Sequence, residues 1–63
     1  MKLIVDGKEV EKPPSAKTVA QLMQMLGLSK EEVLVKVNGK LVPDGHAISP
    51  KDEVKIIKVI YGG

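Results

Sequence analysis

The chain has 63 residues with a formal net charge of +2, one Tyr, no Phe, no Trp and no Cys, so it is one small-cored domain. The missing cysteines exclude a disulfide-stapled mini-protein and a thiolate metal site, which His46 does not build by itself. All ten basic residues are Lys, without the Arg forks or aromatic platforms that nucleic-acid recognition uses, and they read as a solvated surface.

Residues 1–5, Met-Lys-Leu-Ile-Val, read as a strand. Asp6-Gly7 accepts positive φ at both central positions of a two-residue turn, a strong hairpin signal. Residues 8–11 make the returning strand, with Val10 on one face, and Pro13-Pro14 end the pairing because proline has no N–H to donate.

A short helix follows. Thr18 stands three residues before Gln21, the spacing of a capping box. Val19, Leu22, Met23 and Leu26 fall at i, i+3, i+4 and i+7, one apolar stripe on a 3.6-residue period. Met23 therefore belongs to the core, and Gly27 suits the left-handed position that ends a helix. Ser29 and Glu32 repeat the capping spacing and mark one further turn.

The second half is again strand-like. Val33, Val35 and Val37 share a face, and Asn38-Gly39 is a second two-residue turn. Leu41-Val42 returns briefly before Pro43-Asp44-Gly45 breaks the ladder. A turn cluster at Ser49-Pro50-Lys51-Asp52 precedes a last strand over residues 53–60, with Val54 and Ile56 on one face and Lys55 and Ile57 on the other.

The order is hairpin, helix, hairpin, loop, strand. A helix on one face of a mixed sheet is the economical way to bury these stripes. The first and last strands are expected to pair in parallel at the sheet centre. This is an α+β, ubiquitin-like β-grasp arrangement with four or five strands. The expected division is a domain over residues 1–60 and a flexible tail over 61–63.

The sequence ends in Gly62-Gly63, directly after a strongly β-forming run. Two glycines in the last two positions arise by chance in roughly 0.5% of chains at about 7% glycine usage. A tail without Cβ atoms threads a channel where side chains would clash. What it delivers is the Gly63 α-carboxylate, ionised at neutral pH. Such a carboxylate becomes an acyl donor once its oxygen attacks the α-phosphate of ATP. That site must belong to a partner, since this chain has no phosphate-cradling glycine loop and no Arg.

These residues identify a resemblance. The terminal Gly62-Gly63, the Val-Lys-Val-Asn-Gly-Lys-Leu-Val-Pro stretch over 35–43 and the Lys51-Asp52-Glu53-Val54 turn resemble the ThiS/MoaD family of small sulfur-carrier proteins. The likeness covers the full length and leans to the thiamin branch over the molybdopterin branch. It departs from the family at 49–53, where the family commonly has Asp-Gly-Asp. It departs again at Tyr61, where a small residue is usual; Tyr61 either fills a partner's pocket or covers the sheet edge.

The resemblance implies that an E1-like adenylyltransferase of the ThiF/MoeB type activates Gly63 with ATP and Mg²⁺, the chain itself binding no cofactor. A cysteine desulfurase or rhodanese-type donor then supplies sulfur for a thiocarboxylate on Gly63. Thiazole synthase, or the large subunit of molybdopterin synthase, receives it, while Gly62 and Tyr61 thread the partner's channel. The chain is then a co-substrate and not an enzyme. Two other readings stand beside this one: a protein modifier joined through Gly63 to target lysines, and an RNA-associated β-grasp module, which would not need the glycine pair.

Strand alternation also places a docking face. If Leu3 faces the helix, Ile4 faces away, and so do Leu34, Ile57 and Val59. An apolar patch among lysines on a small domain marks a partner surface. His46 lies in a glycine-bounded loop without a nucleophile or acid–base partner nearby. No apolar run approaches the roughly 20 residues of a membrane helix and no signal peptide is apparent, so a cytoplasmic protein is expected.

Overall fold

Two turns with left-handed backbones set the sheet's outline. Asp6 and Gly7 have φ of 49° and 81°, and Asn38 and Gly39 have φ of 54° and 85°. Both are type I′ geometries, whose twist matches the strands they join. The computed structural model describes residues 1–59. Its elements are β1 (Lys2–Val5), β2 (Lys8–Glu9), α1 (Val19–Leu26), β3 (Val33–Val37), β4 (Lys40–Leu41) and β5 (Glu53–Lys58).

The five strands form one mixed sheet in the order β2-β1-β5-β3-β4. As expected, β1 and β5 pair in parallel, with Leu3 opposite Val54 and Val5 opposite Ile56. Strand β3 pairs antiparallel with β5 from Val33 opposite Lys58 to Val37 opposite Val54. This is the β-grasp arrangement that the element order predicted.

The outer strands are shorter than expected. β2 stops at Glu9, although Val10 N–H still donates to the Leu3 carbonyl at 2.9 Å. β4 sits one residue early, at Lys40–Leu41, because a two-residue Asn-Gly turn fixes Val37 opposite Lys40. Strand β5 is described to Lys58. Ile60, the expected strand end, and the tail residues Tyr61, Gly62 and Gly63 lie outside the described residues.

Helix α1 is held by tertiary partners at its start and by its own backbone at its end. Thr18 Oγ1 accepts from Gln21 N–H at 3.2 Å, the first half of the capping box. The reciprocal bond shifts by one residue, since Gln21 Oε1 accepts from Lys17 N–H at 2.7 Å. Two further N–H groups at the helix start, those of Val19 and Ala20, donate to the carbonyls of His46 and Asp44 at 3.0 and 2.8 Å. The 43–48 loop thus satisfies donors that an isolated helix leaves orphaned.

At the other end Gly27 has φ 70°, Gly27 N–H donates to Gln24 and Leu28 N–H donates to Met23 at 2.9 Å. That pair of bonds is a Schellman motif, and it turns Leu28 back onto the core. The Ser29 segment is a turn closed by Glu32 N–H on the Ser29 carbonyl at 3.0 Å.

The core lies between α1 and one sheet face. Leu3, Val19, Leu22 and Val54 are fully buried, with Ile56, Met23, Val33, Val35, Val37 and Ile48 nearly so. Every residue expected on the inner faces of β3 and β5 is there. Met23 is core and Met25 is exposed, as the helical spacing required.

Asn38 carries a second task beyond the turn. Its Nδ2 donates to Asp52 Oδ1 at 3.0 Å, and its Oδ1 accepts from Glu53 N–H at 3.0 Å. Asp52 Oδ2 also accepts from Ser49 N–H at 2.8 Å. The Ser49 N–H first, and the Asn38 amide second, hold the Asp52 carboxyl below its ordinary value. The unfolded chain therefore binds this proton more tightly than the folded one. Its stabilisation is fully present above the unfolded value of about 3.9 and is lost as pH falls through the lower folded value. Asn38→Gly keeps the positive φ and removes the clasp. It should lower the thermal midpoint at neutral pH by about 5 °C and flatten, without abolishing, the loss of stability below about pH 4. Calorimetric melting across that pH range checks both.

Candidate functional site

The root of the C-terminal tail is fixed on both sides of β5. On the β1 side, Asp6 N–H donates to the Ile56 carbonyl at 2.9 Å, and Asp6 Oδ1 accepts from Lys58 N–H at 2.9 Å. On the β3 side, Val59 N–H donates to the Glu32 carbonyl at 2.7 Å. Beyond Val5 the strand β1 turns away, so the Asp6 side chain supplies the acceptor that the next ladder residue would have supplied. Four residues, 60–63, follow Val59, and a fully extended segment of that length reaches about 14 Å.

The sheet face opposite α1 is the second feature. Leu34 on β3 and Ile57 on β5 stand directly across from one another and are 46% and 40% exposed. Ile4 points to the same face, as expected, but is half-buried. Its cross-strand neighbours are Lys55 and Glu9, whose long stems can lie over apolar surface. Val59 is likewise half-buried.

Leu41, at 61% exposed, was not among the residues that alternation singled out. The signal was present: a two-residue turn at Asn38-Gly39 puts Leu41 opposite Lys36, hence on the outer face. An open groove also runs between α1 and the β3–β4 edge, lined by Val19, Met23, Val35, Val42 and Pro43. Its rim carries the exposed ion pair of Lys30 and Asp44 at 3.5 Å, a contact of little energetic consequence.

Among the described residues, no group of three His, Asp or Glu is placed to hold a metal ion. None of the described helices is long and apolar enough to cross a membrane. His46 contributes its carbonyl to the helix start and its imidazole is exposed. The site thus consists of a pinned strand end leading toward Gly63, beside an exposed apolar sheet face.

Among the described residues, a mixed five-stranded sheet in which β1 and β5 run parallel, with one helix on a single face, defines a ubiquitin-like β-grasp protein. A solved structure, that of the thiamine biosynthesis protein ThiS from Geobacter metallireducens, superposes with a TM-score of 0.65 and 26% sequence identity over 100% of both chains. The ThiS family profile matches residues 2–63, and the chain belongs to the ThiS family. Membership supports a sulfur-carrier role in thiamin biosynthesis.

The Asp6 anchor has a direct readout. Asp6→Gly preserves the positive φ and deletes the acceptor, and amide hydrogen exchange at Lys58 should quicken by about tenfold. Asp6→Asn retains an oxygen and should leave Lys58 close to the unsubstituted rate.

Proposed function

We propose that this protein carries sulfur on Gly63 for thiamin thiazole formation. A ThiF-type, E1-like adenylyltransferase using ATP and Mg²⁺ joins the Gly63 carboxylate to AMP and releases pyrophosphate. The outer sulfur of a persulfide, fed by a cysteine desulfurase or rhodanese-type donor, then displaces AMP to give an acyl disulfide. A partner's thiol cleaves its S–S bond, leaving a disulfide on the partner and the thiocarboxylate on Gly63. Thiazole synthase takes the sulfur from it. The observation that carries this reading is the family match over residues 2–63, which takes in the Gly62-Gly63 pair.

In this reading the chain is a co-substrate, and its own residues bind and present. The body holds the tail root at Asp6 and Glu32, so that Tyr61 and Gly62 enter the partner's channel from a fixed point. The Leu34–Ile57 pair is the centre of the docking face, with Ile4 and Val59 at its margins. Exposed apolar groups that pack on a partner cost nothing to the core behind them, because alternate residues of the same strands fill that core.

Intact-mass spectrometry of protein isolated from its native host tests the chemistry. A mass gain equal to replacing one oxygen by sulfur is expected at Gly63. Adducts to lysines of other proteins would instead support a modifier. A chain left unmodified by the host's adenylyltransferase and ATP would sink both.

Ile57→Asp tests the face. Its affinity for the adenylyltransferase, measured by titration calorimetry, should fall by about tenfold or more while the thermal midpoint shifts by only a few degrees. A variant that unfolds would show that Ile57 serves the core.

A further inference from the structure

Two lysines occupy the middle of the outer sheet face. Register places one residue from each strand in a row across the sheet: Leu41, Lys36, Lys55, Ile4 and Glu9. Lys36 and Lys55 stand directly opposite one another, and the next outward-facing pair along the same two strands is Leu34 with Ile57. Side chains directly opposite in an antiparallel pair have Cβ atoms about 4.5–5.5 Å apart, and like charges there are destabilising. Ion pairs among the described residues join Lys2 to Glu53 at 3.7 Å and Lys30 to Asp44 at 3.5 Å. Neither involves Lys36 or Lys55; Glu9 lies at the far end of the row, beyond Ile4, and Glu53, two residues before Lys55 on the same face, is engaged by Lys2.

We infer that Lys36 and Lys55 form a carboxylate-binding pair that seats an acidic side chain of a docking protein partner. The inference rests on the docking reading above and adds the chemistry that the partner must present. Two flexible lysine stems rooted at this spacing are long enough to bring both ammonium groups to a single anion. An acidic group between them converts a repulsive contact into two attractive ones, which supplies both orientation and specificity. Leu41, Leu34, Ile57 and Ile4 flank the pair on three sides, with the Lys2–Glu53 ion pair on the fourth. An apolar partner surface closing over the aliphatic groups lowers the exposure to water and strengthens those attractions.

These aliphatic side chains, with the Glu53 carboxylate beside them, select a protein over a nucleic acid. A phosphate backbone is hydrated and gains nothing from leucine and isoleucine. The outer faces of the five strands carry no Arg fork and no aromatic on which a base would stack.

The test separates folding from binding. Lys36→Gln, Lys55→Gln and the charge swap Lys36→Glu are each melted and titrated against the host's ThiF-type adenylyltransferase at low ionic strength. Each glutamine variant should bind roughly fivefold more weakly with a thermal midpoint equal to or above that of the unsubstituted chain. The charge swap should melt higher still, since it sets opposite charges across the ladder, yet bind about tenfold more weakly or worse. Added salt should shrink these differences. Variants that bind unchanged, or that lose stability in step with affinity, overturn the assignment. So does a labelled oligouridylate that the unsubstituted chain binds and the glutamine variants do not. A chain that is adenylated normally while its lysine variants bind unchanged overturns this inference alone. A chain that the adenylyltransferase neither binds nor adenylates overturns the docking reading along with it.

Discussion

The structure hangs on the parallel contact between β1 and β5. These strands come from opposite ends of the chain, with Lys2 opposite Glu53 and Val5 opposite Ile56. Closing so long a loop costs entropy before any ladder bond forms. What offsets it is burial: Leu3 and Val54 are inaccessible to solvent, and Ile56 is nearly so. Once β5 is placed, its free edge receives β3, β3 receives β4, and β2 covers β1. The tail root inherits its position from the same contact, because Asp6 reaches Lys58 only when β1 and β5 are in register.

A second consequence is that the core and the exposed apolar and lysine side chains sit on opposite faces of the same strands. Along β3, Val33, Val35 and Val37 point into the core while Leu34 and Lys36 point away. Along β5, Val54 and Ile56 point in while Lys55 and Ile57 point out. The two-residue period of a strand keeps these sets apart, so the outer face can carry exposed apolar groups and opposed lysines without disturbing the inner one.

Much of this was legible from residues alone. The helix ends were written in Thr18 and Gly27, the turns in Asp6-Gly7 and Asn38-Gly39, and the core in the alternation of valines and isoleucines. What escaped were contacts joining segments far apart in sequence. One local detail escaped as well: Gln21 Oε1 accepts from Lys17 N–H instead of closing the capping box on Thr18. The carbonyls of His46 and Asp44 occupy the neighbouring helix donors, and nothing local in a loop histidine announces that. The Asn38–Asp52 clasp and the Asp6–Lys58 bond likewise span 14 and 52 residues.

Composition and pattern therefore settled the kind of fold: a small, cysteine-free β-grasp unit of hairpin, helix, hairpin and strand, with a glycine pair after the last strand. They did so because turn chemistry, helix capping and hydrophobic period are local, each readable within a few residues. Register across the sheet is not local. It set Lys36 against Lys55, added Leu41 to the exposed face, drew Ile4 partly under its neighbours and pinned the strand that leads to Gly63. A strand's own residues say which face a side chain takes, but only its neighbours across the ladder decide what that side chain meets.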